Sequence, residues 1–240
     1  MGISLLEIMI GLTIAMFMMA GLFTLFSGTR TSNLTQTNMA QLQDNERMAA
    51  SILASVVQQA GYYALPQNYT LAQALPVTTT TWTVAGQGIY GTSSGNHTDT
   101  LSVRFLADRS GGTDNLLNCD GSSNGTANTT TFVNTFTLVP STSVNGTTTY
   151  DLSCSVNGAT PVALVGGIST MDILYGVDTQ NAGTVRRYYT GTGMNPVRWG
   201  QVRSVQITLG FVNPLYIAGQ DSASKQIIPF TQVISLMSKS

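Results

Sequence analysis

Apolar side chains are concentrated near the start of the chain and later recur in two different periods. Residues 8–26 carry no charge, and this length spans the hydrocarbon core of a bilayer. Along residues 33–60 apolar positions recur at spacings of three, four and seven, which is typical of an amphipathic helix. No proline occurs between Ile3 and Ala60, so the sequence predicts one long helix that stops at Gly61. The apolar face of its second half comprises Leu42, Ala49, Ile52, Leu53, Val56, Val57 and Ala60.

The rest of the chain is rich in Thr, Ser, Asn and Gly, with short apolar runs between them. Residues 101–105 alternate apolar and polar positions, which predicts a half-buried strand. Asn145-Gly146 and Asn157-Gly158 favour hairpin turns. We therefore expect an α+β fold, in which the face of residues 42–60 packs on an antiparallel sheet. Residues 205–211 alternate in the same way, which predicts that Val205, Ile207, Leu209 and Phe211 share one face. The further strand candidates are residues 132–139, 150–156, 161–165, 171–177, 185–189, 202–212 and 232–237.

Composition excludes several classes of function. Charged residues make up 9% of the chain and the formal net charge is −1, so ten Lys and Arg residues cannot form the dense basic face of a nucleic-acid binder. A single histidine, His97, rules out His-rich zinc sites, and we expect it to be a solvated surface residue because no nucleophile motif lies near it. No Gly-rich phosphate motif with a lysine is present. We expect neither enzymatic activity nor a bound cofactor.

Glu7 is the only charged residue before Arg30. The strongly apolar residues of the segment favour insertion by roughly 4 kcal/mol in sum, against about 2.5–3.5 kcal/mol for a carboxylate at the bilayer centre. Because Glu7 lies near the end of the segment, insertion is expected, and the carboxylate favours a partner. Two alternatives remain open at this point: a capping box formed by Ser4 and Glu7, and a cleaved secretory signal.

The residues Gly2-Ile3-Ser4-Leu5-Leu6-Glu7-Ile8-Met9-Ile10 resemble the processing site of type IV pilin-like proteins. In that family a prepilin peptidase cuts after the glycine and methylates the new N-terminus, and a glutamate is the fifth mature residue. The resemblance implies that Gly2 precedes the cut, that Ile3 becomes the N-terminus and that Glu7 is the fifth residue. The Glu7 carboxylate would then accept the amine of Ile3 in a neighbouring subunit. Ile3 stands where the family usually has Phe, and no basic residue precedes it.

Later segments resemble the minor pilin W (PilW) subfamily. Arg47 precedes a helix that ends in Ala60-Gly61-Tyr62, and four further matching segments follow. The resemblance implies a type IV pilin-like fold with a residual leader (1–2), a transmembrane polymerisation helix (3–29), an amphipathic helix (30–61) and a β-rich globular domain (62–240). The four segments are Val165-Gly166-Gly167-Ile168, residues 173–178 (ILYGVD), residues 185–188 (VRRY) and residues 199–207 (WGQVRSVQI).

The function implied by this resemblance is structural. The chain would be a minor pilin of a type IV pilus, placed in an initiation or tip complex and not in the bulk shaft. Its implied partners are other minor and major pilins, the prepilin peptidase and the inner-membrane assembly machinery. It would wait in the bacterial inner membrane with a periplasmic domain, and then enter a pilus that serves cell adhesion. A minor pseudopilin of a type II secretion system and a membrane-anchored periplasmic enzyme or binding protein remain as alternatives.

Cys119 and Cys154 enclose a loop of 36 residues. If the chain is exported, a disulfide is favoured, and it would contribute roughly 3–4 kcal/mol by loop-closure entropy. Free thiols are the alternative. The polar residues around both cysteines favour the disulfide, because buried free thiols usually have apolar neighbours.

Acidic and amide side chains crowd a Gly-rich stretch next to Cys119. Oxygen ligands on such a loop can hold calcium, but no complete EF-hand pattern is present. A cluster of Asp and Asn turns is the preferred interpretation. The candidate ligands are Asp108, Asp114, Asn118 and Asp120, with Asn124 close by.

Overall fold

The structure is a computed structural model, and it describes residues 4–78, 81–108, 116–123, 128–143, 148–216 and 226–237. The chain divides into two compact units, Met1–Gln43 and Asp44–Ser240. The first unit is helical throughout its described part, and the second contains the sheet. Helix α1, Leu5–Gln58, contributes residues to both. The expected long helix is therefore confirmed, and it ends slightly before Ala60.

The end of α1 is tied to the sheet by backbone hydrogen bonds. Gly61 has a φ of 77°, a left-handed conformation that glycine adopts without strain. Its N–H donates to the carbonyl of Arg104 at 2.9 Å, and the N–H of Ala64 donates to the carbonyl of Leu106 at 3.0 Å. A Cβ at Gly88 would overlap the backbone of Gly61, so the strand that follows Gly88 lies tightly against this turn. The predicted stop at Gly61 is confirmed.

In the described ranges of the second unit, eight strands and two short helices follow α1. A 3₁₀ turn, Gly191–Gly193, precedes the last helix. The elements are α2 (Leu71–Ala74), β1 (Ile89–Thr92), β2 (Thr100–Ala107), β3 (Thr130–Pro140), β4 (Tyr150–Val156), β5 (Val162–Val177), β6 (Arg187–Thr190), α3 (Pro196–Gly200), β7 (Val202–Val212) and β8 (Ile227–Ser235).

The strands form one antiparallel sheet with the order β1-β2-β3-β4-β5-β7-β8, and β6 pairs with β5. Strand β5 is long enough to pair with three other strands. Its first part pairs with β4, from Val162 to Ile168, whereas its last part pairs with β6 and with β7. The predicted α+β class, a long N-terminal helix with an antiparallel sheet, is confirmed.

Two strand predictions need correction. The expected separate strands 161–165 and 171–177 form a single strand, β5, because Gly167 (φ 80°) lies next to a bulge and does not end the strand. Strand β1, which has only four residues and includes Gly91, was not predicted from the sequence. The turn at Asn157-Gly158 is confirmed, with φ values of 51° and 77°, whereas Asn145-Gly146 lies outside the described residues.

The core of the second unit combines one helix face with one face of the sheet. On α1, the predicted apolar positions Ala49, Leu53, Val56 and Val57 are buried. Every second residue of β7 from Val205 to Phe211 is also buried, as the alternation predicted. Each fully buried side chain of this size contributes about 1.5–3 kcal/mol. The largest buried sheet residues are Phe105, Phe136, Tyr175 and Phe211.

Candidate functional sites

The first part of α1 exposes an apolar surface. Phe17 is 81% exposed, and its large apolar neighbours are also exposed in the single chain. This part of the helix is long and apolar enough to cross a membrane. A continuous apolar surface of this kind marks contact with lipid or with another protein. The exposed residues are Leu5, Leu6, Ile8, Met9, Ile10, Leu12, Ile14, Met16, Phe17, Met18, Met19, Leu22, Phe23, Leu25 and Phe26.

The threonines of this segment satisfy their hydroxyls within the helix. Thr13 donates to the carbonyl of Ile10 at 2.8 Å, and Thr24 donates to that of Gly21 at 2.8 Å. Thr29 bonds in the same way to Leu25, four residues earlier, at 2.9 Å. A hydroxyl that is bonded to its own helix needs neither water nor a partner helix. These threonines therefore do not oppose burial of the helix in an apolar environment.

Glu7 lies in the first turn of α1 and is exposed. The backbone N–H groups of Glu7 and Ile8 donate to the carbonyl of Ser4 at 3.0 and 3.4 Å, so this carbonyl accepts the first hydrogen bonds of the helix. Among residues 4–78, no ion pair reaches the Glu7 carboxylate. The two predicted processing residues, Gly2 and Ile3, lie outside the described residues. Glu7 is thus a lone acid on an apolar helix, available to a partner.

Three glycines of α1 share a face with Glu7. At about 100° per residue, Glu7, Gly11, Gly21 and Gly28 fall within an arc of about 100°. A Cβ at any of the three glycines would meet no atom of this chain within 4 Å. Glycine in a helix interior costs about 1 kcal/mol relative to alanine. The packing of the single chain therefore gives no reason for these glycines.

Two of the segments that resemble PilW, residues 173–178 and 199–207, meet at a buried carboxylate in the second unit. Asp178, which follows β5, accepts hydrogen bonds from the N–H groups of Gln180, Ala182 and Gly183 at 3.3, 3.0 and 2.7 Å. The guanidinium of Arg203, in β7, lies 3.6 Å from the same carboxylate. Burial raises the pKa of Asp178, but these donors and Arg203 outweigh it and hold the pKa below its usual value. The ionised carboxylate organises the loop between β5 and β6.

Replacing Asp178 by asparagine is expected to destabilise the second unit at pH 7. It is also expected to reduce the fall in Tm between pH 7 and pH 3. Because the pKa is lowered on folding, the ionised form contributes stability above the unfolded value of about 3.9, and this stability is lost as the pH falls. Thermal unfolding from pH 7 to pH 3 measures the effect. Asp44→Asn, at an exposed helix position, is the matched control. Equal pH profiles for the two variants would contradict the assignment.

Comparison with known proteins agrees with these segments. Residues 141–231, from just before β4 into β8, match the family described as Type IV Pilus-assembly protein W. The chain is similar to PilW. The expected resemblance to the minor pilin W subfamily is thereby confirmed. No curated protein shows significant sequence similarity to the chain.

Among solved structures, the chain matches a type IV-like pilin, TTHA1219 from Thermus thermophilus. The two are 13% identical, the match covers 83% of this chain and 98% of the other, and the TM-score is 0.41. The PilW similarity together with the long apolar helix supports a pilin-like pilus subunit, anchored in a membrane and in contact with other pilus components. A structural family of this kind implies a role other than catalysis.

The PilW match includes one of the two cysteines. Cys119 and Cys154 form a disulfide with a Cα–Cα distance of 6.0 Å. The structure therefore contains the disulfide that the sequence analysis favoured. Both cysteines are buried, and Cys154 lies within β4, the strand predicted for residues 150–156. The N–H of Cys119 donates to the side chain of Asn134 in β3 at 2.8 Å, which joins the loop to the sheet.

The residues proposed as calcium ligands have other partners where they are described. Asn118 accepts from the amide of Asn134 at 3.0 Å, and Asp120 accepts from the N–H and hydroxyl of Ser122 at 2.9 and 2.6 Å. Asp108 is buried, while Asp114 and Asn124 lie outside the described residues. In the described ranges, no three His, Cys, Asp or Glu side chains cluster as metal ligands. The calcium hypothesis stays an untested prediction.

His97 is exposed, as expected, but it has a partner that the sequence did not indicate. Its Nδ1 lies 2.8 Å from an oxygen of Asp172 in β5. The hydrogen bond and the charge of Asp172 raise the pKa of His97. An exposed pair of this kind contributes little to stability.

Two features of the second unit that lie close together were not predicted from the sequence: a buried arginine and a pocket. Arg104, in β2, is buried, and its guanidinium lies 4.5 Å from the ring centroid of Trp82. It donates to the carbonyls of Gln87 at 2.9 Å, Pro76 at 2.9 Å and Leu75 at 3.3 Å. Burial lowers the pKa of Arg104 to about 10, so it remains charged at neutral pH. Arg104 therefore holds the segment between α2 and β1 in place.

The second feature is a pocket of about 350 Å³ between β1 and α3. The rings of Tyr90 and Trp199 lie at this pocket with centroids 5.2 Å apart, and the ring centroid of Trp82 lies 6.2 Å from that of Tyr90. Tyr175 packs edge-on against Trp199 at 4.8 Å. No local sequence signal could have revealed the pocket, because its walls come from segments about 100 residues apart.

Proposed function

We propose that this chain is a minor pilin-like subunit of a type IV pilus. In this proposal, prepilin peptidase cleaves between Gly2 and Ile3 and methylates Ile3. Residues 3–29 then hold the chain in the inner membrane, with the globular part in the periplasm, until the assembly machinery extracts it. It enters an initiation or tip complex with other minor and major pilins through its N-terminal helix.

One observation carries the proposal: a lone carboxylate lies on an otherwise exposed apolar helix. A charge at the bilayer centre costs about 2.5–3.5 kcal/mol on insertion scales, so Glu7 is stabilised by a cation in the same environment. The amino terminus of a neighbouring processed subunit is such a cation, and two opposite charges in an apolar environment stabilise each other. The pairing fixes the axial position of one subunit relative to the next.

The glycine face supports packing against another helix. Gly11, Gly21 and Gly28 lie on the same side of α1 as Glu7, and no contact within the chain accounts for them. In apolar environments, small residues let helix backbones approach closely. We infer that the Glu7 face is the one that packs against neighbouring pilin helices. The PilW similarity of residues 141–231 supports a pilus partner for it.

Replacing Glu7 by glutamine tests the pairing directly. In native cells, a tagged Glu7→Gln chain should reach the membrane normally, but the amount of pilins that co-purify with it should fall about tenfold. A tenfold fall corresponds to a loss of about 1.4 kcal/mol of association free energy. Glu7→Asp keeps the charge and should retain more of the partners. Thr13→Val removes a polar atom from the same helix and should behave like the native chain. Unchanged co-purification of Glu7→Gln would show that the register role is wrong.

Mass spectrometry of the same purified chain identifies the first residue of the mature protein and any methyl group on it. An N-terminus at Ile3 that carries one methyl group supports processing by prepilin peptidase. Cleavage after about residue 28 would instead support a secretory signal, whose apolar stretch precedes its cut site. A chain that is found only as a solitary membrane protein would support the alternative of a membrane-anchored enzyme or binding protein.

A further inference from the structure

Strand β8 forms an open end of the sheet. The strand order ends at β8, and β7 is the only strand that pairs with it in the described ranges. The opposite end differs, because the turn that begins at Gly191 lies against β1, where a Cβ at Gly191 would come within 3.0 Å of the Gly91 carbonyl oxygen. An open strand edge presents unpaired N–H and C=O groups to which another chain can bond.

The hydrogen bonds at both ends of the β7–β8 pair determine which residues of β8 face outward. The N–H of Asn213 donates to the carbonyl of Gln226 at 2.9 Å, and the N–H of Leu236 donates to that of Arg203 at 2.9 Å. The register between these bonds has no bulge, and hydrogen-bonded pairs alternate along an antiparallel ladder, so the even-numbered residues of β8 bond to β7. The odd-numbered residues therefore direct their backbone groups away from β7. These residues are Ile227, Pro229, Thr231, Val233 and Ser235.

Pro229 limits the open edge to the second half of β8. Proline has no N–H to donate, and sheets tolerate it at such edge positions. Proteins usually protect an exposed edge with charges, prolines or bulges. From Thr231 to Ser235 none of these is present, and residues 226–237 carry no charge. Val233, at the centre of this half, is 54% exposed. The second half of β8 is therefore an edge without the usual protection against pairing.

A groove of about 360 Å³ lies beside this edge. Helix α1 contributes Ala54 and Gln58 to the groove, and residues 232–237 form its other side. Its described lining carries no charge. When a strand is added to a sheet edge, main-chain hydrogen bonds supply affinity, and pockets for alternate side chains supply specificity. The edge and the groove together fit an extended backbone whose alternate side chains are apolar.

We propose that the β8 edge pairs with an extended, uncharged segment of a different protein. The main chain of that segment bonds to Thr231, Val233 and Ser235, and its alternate apolar side chains enter the groove beside Ala54. Antiparallel pairing with β8 of a second copy fits less well. A twofold axis would reverse the direction of α1, which packs on the sheet, whereas chains anchored in one membrane point the same way. The pairing does not use Glu7, so it can fail while assembly through α1 succeeds, and the reverse also holds.

Hydrogen exchange of the purified full chain in detergent, resolved by residue with NMR, tests whether the edge is open. The amides of Thr231, Val233 and Ser235 should exchange at least about tenfold faster than those of Gln232 and Ile234, which bond to β7. Equal protection of the two sets would show that the chain itself covers the edge, and this result would overturn the proposal.

Photo-crosslinking in native cells identifies the partner segment. A benzoylphenylalanine placed at Val233 should join to one segment of a different protein, and mass spectrometry should show that this segment is uncharged with alternating apolar residues. The same probe at Tyr188, an exposed residue of β6, should not join to that segment. A product formed with a second copy of this chain, a product with a charged segment, or no product would overturn the proposal.

Substitutions at Val233 test the main-chain pairing. Val233→Pro removes an outward N–H and leaves the bonds to β7, so the amount of the crosslinked protein that co-purifies with a tagged chain should fall about tenfold. Val233→Thr keeps the N–H and the shape, and it should retain the native amount. Val233→Lys places a charge at the edge and should also cause about a tenfold fall. Gln206→Lys, directly opposite on β7, is its matched control and should change the amount little. Native co-purification of Val233→Pro and Val233→Lys, with Tm showing that both are folded, would overturn the proposal.

Discussion

Replacing Arg104 by alanine is expected to lower the free energy of unfolding of the second unit by about 4 kcal/mol. The guanidinium is the only described donor to the carbonyl of Gln87, a buried residue, so its loss leaves this acceptor without a partner. Each unsatisfied buried group costs about 1–3 kcal/mol, and the cavity adds to this cost. At about 2–4 °C per kcal/mol, Tm should fall by about 8–16 °C. Thermal unfolding followed by near-UV circular dichroism measures this loss and reports on Trp82.

Two further substitutions at the same position separate packing from hydrogen bonding. Arg104→Met refills the space of the side chain but restores no donor, so it should recover only a minor part of the stability. Arg104→Lys restores the charge but not the planar set of donors that reaches three carbonyls. Arg187→Met, at an exposed arginine near the ring of Tyr189, is the control and should change Tm little. Full stability of Arg104→Met would contradict the role assigned to these hydrogen bonds.

Reduction of the Cys119–Cys154 disulfide is also expected to cause a large loss of stability. Opening a loop of this length increases the entropy of the unfolded chain, which corresponds to about 4 kcal/mol. Tm should therefore fall by about 8–16 °C in the presence of a reductant. Differential scanning calorimetry of the native chain with and without dithiothreitol measures the change.

The double variant Cys119→Ala/Cys154→Ala provides the control for this experiment. Its Tm should be the same with and without the reductant, and this Tm should be close to that of the reduced native chain. Because Cys154 is buried in β4 opposite Phe136, the variant also loses some packing and should be slightly the less stable of the two. A native chain whose Tm is insensitive to reduction would contradict the stabilising role of the disulfide.

Local sequence patterns were sufficient for the elements that depend on local physics. The long helix follows from uninterrupted helical periodicity, and its stop follows from Gly61, whose positive φ needs a glycine. Alternation along β7 predicted its buried face, and Asn157-Gly158 predicted its turn, because both patterns express the period and backbone angles of a single segment.

Patterns failed where distant segments decide the outcome. Residues 161–165 and 171–177 were predicted as two separate strands, but pairing with β4 and β7 carries β5 through a bulge between them. Strand β1 is too short to be recognised alone, and it exists because β2 pairs with it. Arg104 occupied an ordinary alternating position, and its buried role depends on carbonyls 17 to 29 residues away.

The sequence by itself determined the apolar helix, its lone acid at Glu7 and the antiparallel class of the sheet, because periodicity and charge placement are properties of short segments. Only the tertiary structure decided the three-strand pairing of β5, the carbonyl partners of Arg104 and the pocket that joins β1 to α3. These features arise from contacts between residues far apart in the chain, and such contacts form only when the chain has folded.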